Sequence, residues 1–181
     1  VGASTLKLYD PCVRCGFLLN GGVVEVIGPD ALKGYLLNGK EDVSPISFNG
    51  GTLKYGYDET SETKGPVTTD WSEYVRNSTA AIKVETTGTD VTWATALGDS
   101  NATHEIVKTG KGRLILTAAP SWGTTKVTVG FKSKGSVLLP KSAPYELGMD
   151  GNHSTRVSSK TIDGVDYNEF TNPQSFVIIL R

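Results

Sequence analysis

The chain has 181 residues, with 18 Lys and Arg against 19 Asp and Glu, a formal charge of -1 and a pI near 6.2. So even a balance argues against a general nucleic-acid binder, because phosphate contacts demand a basic excess or a basic stripe. Gly and Pro contribute 21 and 8 residues, Ser and Thr together 36, and 38% of residues are hydrophobic. That is a turn-rich, β-leaning composition, which disfavours disorder and coiled coil and leaves enough apolar residues for one core.

The chain opens on Val1 rather than Met, as a processed or excised form would. Thr5–Tyr9 is β-prone. Cys12-Val13-Arg14-Cys15 is the only cysteine pair. A redox couple belongs at a helix N-terminus, where the dipole lowers the thiol pKa, yet Gly16-Phe17-Leu18-Leu19 reads as a strand. A structural zinc site needs four ligands, and the only histidines, His104 and His153, lie far away with no spacing motif. The expectation is a small disulfide loop between Cys12 and Cys15, or two free thiols, and no metal or cofactor.

Phe17-Leu18-Leu19 and Val23–Ile27 flank Asn20-Gly21-Gly22, while Ile46-Ser47-Phe48 and Thr52–Tyr55 flank Asn49-Gly50-Gly51. Asn and Gly tolerate positive φ, so both segments are predicted as hairpins. Between them, Pro29–Leu37 carries Pro at its start and Asn38-Gly39 at its end, the marks of one or two helical turns. The polar stretch 58–66 is the best exposed loop or weak boundary in what is otherwise taken as a single domain over 1–181. Asp70–Val75 is a second short helical candidate, with Asp70 as cap and Glu73 reaching back.

Ala81–Thr86 and Val91–Leu97 alternate with period two and are separated by four residues, which predicts a third hairpin. His104–Lys108 adds a short strand before the turn Thr109–Gly112. Arg113–Thr117 and Thr125–Lys132 follow, with Val127, Val129 and Phe131 on one face, and are predicted to pair as neighbours. Trp93 alternates into the core. Trp122, in a Pro-Ser-Trp-Gly loop, is read first as a ring folded back over the core, and is otherwise the candidate contact for a sugar or partner.

Residues 133–160 are irregular. Asp163–Glu169 concentrates oxygen ligands, but without EF-hand spacing, and Asp163-Gly164 reads as a hairpin turn. Ser175–Arg181 is a largely apolar strand, and no internal repeat is apparent. Asn77, Asn101 and Asn152 head N-x-[ST] triplets at about the frequency that chance allows in so Ser/Thr-rich a chain. Neither histidine sits in a nucleophile signature, the glycine clusters lack phosphate-loop spacing, and no apolar run reaches the roughly 20 residues of a membrane span.

Together these features predict an all-β chain, an antiparallel β-sandwich of immunoglobulin-like or jelly-roll-like form with one or two short helical turns, and no catalytic residues. The function expected is that of a structural subunit in an extracellular, cell-surface or virion assembly of the pilus, fibre, tail or capsid type. Its partners would be copies of itself or other subunits, met through terminal strands carrying Leu6, Leu8, Phe176, Ile178 and Leu180. A glycan- or receptor-binding module that reads a host-surface glycan is the alternative, and a carboxylate-dependent hydrolase the third.

Overall fold

Most of the strands expected from period-two alternation are present, but the main sheet they build is parallel. The computed structural model describes residues 4–9, 17–32, 45–59, 64–98, 101–131 and 133–172. β1 (Thr5–Leu8) lies at one edge of a seven-stranded sheet. β2 (Phe17–Leu19) turns through Asn20-Gly21-Gly22 into β3 (Val23–Val26), which pairs with β1. β4 (Ile46–Phe48) stacks on β2 and turns through Asn49-Gly50-Gly51 into β5 (Thr52–Tyr55), which stacks on β3.

A small excursion follows, with β6 (Tyr57–Asp58) antiparallel to β7 (Gly65–Pro66) and a 3-10 turn at Ser72–Tyr74. Val75 then bridges Ile46, and β8 (Ile82–Thr87) joins the long sheet beside β5. From there β9 (Val91–Trp93), β10 (Glu105–Lys111), β11 (Arg113–Leu116), β12 (Thr125–Val129), β13 (Ser136–Pro140) and β14 (Tyr145–Leu147) alternate between a second sheet and the first. The hairpin β15 (Met149–Asp150) and β16 (His153–Ser154) comes next. Finally β17 (Arg156–Ile162) and β18 (Val165–Thr171) close the second sheet antiparallel, β18 against β13.

The chain is therefore a winding coil. Each circuit lays one strand on the previous circuit's strand, running the same way, and the rest of the circuit is the crossover that parallel pairing requires. The antiparallel sandwich is corrected accordingly: the long sheet is parallel throughout, and antiparallel pairs are confined to β6/β7, β15/β16 and the β13/β18/β17 end. Alternation reports which face a residue takes but is silent on strand direction.

The predicted hairpins fail for one reason. β2 and β3 flank a turn yet pair with β4 and β5 rather than with each other. The same holds for β8 and β9, and for β11 and β12, whose partners lie one circuit away. The Asn-Gly-Gly segments are corners, and they stack: Asn49 Nδ2 donates to Asn20 Oδ1 at 2.7 Å, and Thr79 Oγ1 to Asn49 Oδ1 at 2.7 Å. A repeat is thus present, with Asn20 under Asn49 and Ser47 under Arg76 at a separation of 29 residues. Gly22 has φ +66, and a Cβ there would lie 2.6 Å from the Ser4 carbonyl oxygen of the preceding strand. The glycine serves the close approach of successive circuits as much as the turn.

Inside the coil, side chains stack in columns. Ile82, Ile106 and Val127 form one, and Leu53, Val84, Lys108 and Val129 another, all buried. Each buried aliphatic side chain contributes about 1.5–3 kcal/mol. One apolar cluster runs from Leu19 through Trp93 to Phe170. On the outer face charges alternate: Lys7 sits 3.9 Å from Glu25, Lys54 3.2 Å from Glu25 and 4.0 Å from Glu85, and Lys126 3.3 Å from Glu105.

Local expectations fare variously. Asp70 accepts from Ser72 N at 2.8 Å and Ser72 Oγ at 2.6 Å, but the cap position of the short turn falls on Trp71, which makes no side-chain capping bond, so the predicted capping pair of Asp70 and Glu73 does not form. Residues 28–32 form turns, and the remainder of the predicted helix over 29–37 lies outside the described residues. Asp163-Gly164 is the β17/β18 hairpin turn, with φ of 49° and 78°. The strand β10 runs through Lys111, so the turn expected at 109–112 narrows to Gly112.

Gly135 shows how tightly the circuits approach. A Cβ there would stand 2.0 Å from the Gly112 carbonyl oxygen and 2.9 Å from Lys108 Nζ. Gly135→Ala should lower unfolding stability by about 2 kcal/mol, as backbone overpacking does, read as a drop in urea midpoint at unchanged slope.

Candidate functional site

Two features of the fold have chemical potential: the ends of the long sheet, and the region around Lys108. At the first end, β1 has β3 on one side and no strand on the other among the described residues. Of the predicted assembly residues, Leu6 is 57% exposed and Leu8 half-buried. Tyr9 and Leu18, in the same circuit, are also exposed. At the opposite end β14 pairs only with β12 among the described residues and is exposed at all three positions, with Leu147 at 46%. Met149 beside it is exposed as well. Phe176, Ile178 and Leu180, together with Cys12 and Cys15, lie outside the described residues.

Lys108 is the residue that sequence reading missed. Its column otherwise holds Leu53, Val84 and Val129, and its side chain is fully buried. Nζ donates to the Thr109 carbonyl oxygen at 2.5 Å. Burial pushes the ammonium down to about 8, against the pull of the Glu85 and Asp90 carboxylates. The signal was present in the strand: Ile106 and Lys108 are two apart, hence on one face. At the nearby corner Arg113 grips Asp90 through Nε at 2.8 Å and its backbone N–H at 2.8 Å. Burial works to raise the Asp90 carboxyl, but these bonds hold it below the ordinary value.

A cleft of about 420 Å³ opens on the outer face, lined by Glu85, Thr109, Gly130, Phe131, Ser133 and Asp150 among others. Asp150 Oδ2 accepts from the Phe131 backbone N–H at 2.8 Å, and the Phe131 ring stacks on His153 with centroids 3.4 Å apart. The other histidine, His104, stacks on Trp122 at 5.3 Å. The two imidazoles therefore serve different aromatic contacts, and neither is held in a nucleophile–base pair among the described hydrogen bonds.

Trp122 is folded back, 7% exposed, its Nε1 donating to Thr125 Oγ1 at 2.9 Å. The loop thus offers no exposed tryptophan for stacking. Asn101 is buried and accepts from Ser78 N at 3.0 Å, so that triplet is structural. No group of three or more His, Cys, Asp or Glu side chains suited to a metal ion occurs among the described residues. No helix among them is long and apolar enough to cross a membrane. No family model, curated protein or solved structure matches the chain.

Proposed function

We propose that the chain is a structural subunit of an extracellular or virion assembly of the pilus, fibre, tail or capsid type, joined to its neighbours by main-chain pairing at strand edges. The observation that carries this reading is the β1 edge, which has no second strand beside it among the described residues and whose Leu6 is exposed, while every interior strand of the long sheet has two partners. An unpaired edge presents a row of N–H and C=O groups to another strand. Among the described residues the outermost circuits carry exposed apolar side chains, where repeat folds that are soluble as monomers carry a polar cap.

Light scattering across a concentration series, with negative-stain microscopy, tests it. Ordered polymers or a concentration-dependent mass are expected; a monomer that persists at the highest concentration overturns the proposal.

The cleft favours a second reading, a glycan-binding module. Glu85 and Asp150 provide acceptors for sugar hydroxyls and Ser133 a hydroxyl of its own. A glycan array signal lost in both Glu85→Gln and Asp150→Asn, with folding intact, would support this reading over assembly alone.

A further inference from the structure

We propose that the Asn20-Gly21 corner is a site of spontaneous deamidation, while the Asn49-Gly50 corner stacked on it, though built from the same residue pair, is protected by the fold. The inference goes beyond the assembly reading and does not depend on it.

Sequence sets the chemistry. The backbone nitrogen of the following residue can attack an asparagine side-chain amide and close a cyclic imide. Glycine in that place leaves the nitrogen unhindered, because it has no Cβ. Asn precedes Gly at positions 20, 38 and 49, and the second of these lies outside the described residues. Asn20 and Asn49 are both exposed. Nothing lies within 4 Å of where a Cβ would stand at Gly21 or Gly50, so both corners leave room beside the attacking nitrogen. Neither of these nitrogens donates a hydrogen bond among the described residues.

The stacking of circuits makes the two corners unequal. Asn49 Nδ2, the atom that must leave, donates to Asn20 Oδ1 at 2.7 Å. Asn49 Oδ1 accepts from Thr79 Oγ1 at 2.7 Å, and the adjoining Gly50 carbonyl oxygen accepts from Lys83 Nζ at 3.1 Å. The Asn49 amide is therefore held from the circuits on both sides. Asn20 is held at Oδ1 alone, and its Nδ2 has no acceptor among the described residues. Negative charge gathers on the amide oxygen when Cγ is attacked, and a donor there stabilises it. Both asparagines have such a donor. What separates them is the leaving nitrogen, tied in Asn49 and free in Asn20.

In the step itself the Gly21 nitrogen bonds to Asn20 Cγ and gives its proton to solvent. The bond between Cγ and Nδ2 breaks, and Nδ2 departs with a solvent proton as ammonia. Water then opens the imide. Cleavage between Cγ and the nitrogen leaves aspartate, whose carboxylate accepts from Asn49 Nδ2 more strongly than the amide did and tightens the hold on Asn49. Cleavage at the original backbone carbonyl leaves isoaspartate, with the main chain rerouted through the side chain and one carbon longer. Two residues on, a Cβ at Gly22 would stand 2.6 Å from the Ser4 carbonyl oxygen, to which Val23 N donates at 2.9 Å. A longer corner disturbs this approach, so the isoaspartate form is expected to loosen β1 from β3.

The test is to age the folded chain in mildly alkaline buffer and follow each Asn-Gly pair by peptide mass mapping. Asn20 is expected to convert about tenfold faster than Asn49, the rate difference that one hydrogen bond on the leaving group supplies. In concentrated urea the two sites should convert about equally. Asn20→Ala removes the acceptor of Asn49 Nδ2 and is expected to speed conversion of Asn49 about tenfold. Asn20→Asp keeps an acceptor and should leave Asn49 slow, with circular dichroism confirming that both variants remain folded. Equal rates in the folded chain, or a faster Asn49, overturn the proposal. So does a difference that persists in urea, which would assign it to sequence neighbours rather than to stacking. An Asn49 rate unmoved by Asn20→Ala overturns the protective role of the bond between the two side chains.

Discussion

Lys108→Met is expected to abolish a rise in folding stability that the unaltered chain shows between about pH 8 and pH 10.5. In the folded chain burial holds the ammonium down to about 8, against an ordinary value of 10.5. Between those values the unfolded chain keeps a proton that the folded chain has released, so stability increases with pH across the window. Below pH 8 the cost of the buried charge is present in full. The difference corresponds to about 3 kcal/mol. Methionine matches the volume of the lysine stem and fills the column between Val84 and Val129 without a charge. Tyr55 works in the opposite sense at the alkaline end, because burial pushes its phenol up and the unfolded chain ionises first. The measurement is therefore the difference between the two proteins, by urea denaturation at several pH values. A difference that stays flat from pH 7 to 10.5 would falsify the account of Lys108 as a charged group buried at a cost.

Trp93→Ala should be the most damaging single truncation in the core, costing about 3–5 kcal/mol. Trp93 is fully buried on β9, and its Nε1 donates to Tyr55 Oη at 2.8 Å, which in turn donates to the Thr69 carbonyl oxygen at 3.2 Å. The indole thereby ties the second sheet to β5 in the first and to the segment after β7. Truncation leaves both a cavity and an unpaired phenol acceptor. Tyr55→Phe isolates the polar part and is expected to cost about 1–3 kcal/mol, because the buried indole N–H then has no acceptor. In a double-mutant cycle the two changes should be clearly non-additive. Strictly additive losses would show that the hydrogen bond adds nothing to the packing.

The strands themselves were legible because in/out alternation depends on side-chain chemistry. Val127 and Val129 are inward and Lys126 outward in the chain as in the sequence pattern. Direction was not legible. Asn20-Gly21-Gly22 supplies positive φ, which suits a hairpin and a corner equally, and only the Asn20–Asn49 side-chain bond and the contact of Gly22 with Ser4 distinguish them. The 29-residue spacing was visible in retrospect, since Leu19-Asn20-Gly21-Gly22 and Phe48-Asn49-Gly50-Gly51 occupy the same places in successive circuits. It fades beyond Val75 because later circuits are shorter, with Lys108 on Val84 and Val129 on Lys108.

Of the candidate residues, Leu6 and Leu8 were legible as part of a β-prone terminal segment, and they lie on β1 at one edge of the long sheet among the described residues. Trp122 is turned back, as the favoured reading of its loop has it; the sequence did not report what holds the ring, and Thr125, three residues on, supplies the acceptor. Lys108 escaped notice for a related reason. Lysine is read as a surface residue, and its burial follows from the circuits above and below rather than from its own neighbours in sequence.

The coil also sets how the chain acquires its structure. Each strand of the long sheet finds its partners one circuit away, as Asn20 finds Asn49, and because closure entropy grows only slowly with loop length, every new rung costs a comparable amount even though the circuits differ in length. No single pairing must bring together distant parts of the chain before the others form. Folding in such a lattice can start at any well-packed circuit and spread outward rung by rung, and the level tied by Trp93 and Tyr55 is the one expected to open last. The last rungs to form are the first to open, so amide hydrogens of β1 and β14 should exchange fastest in the monomer and become protected when those edges are covered.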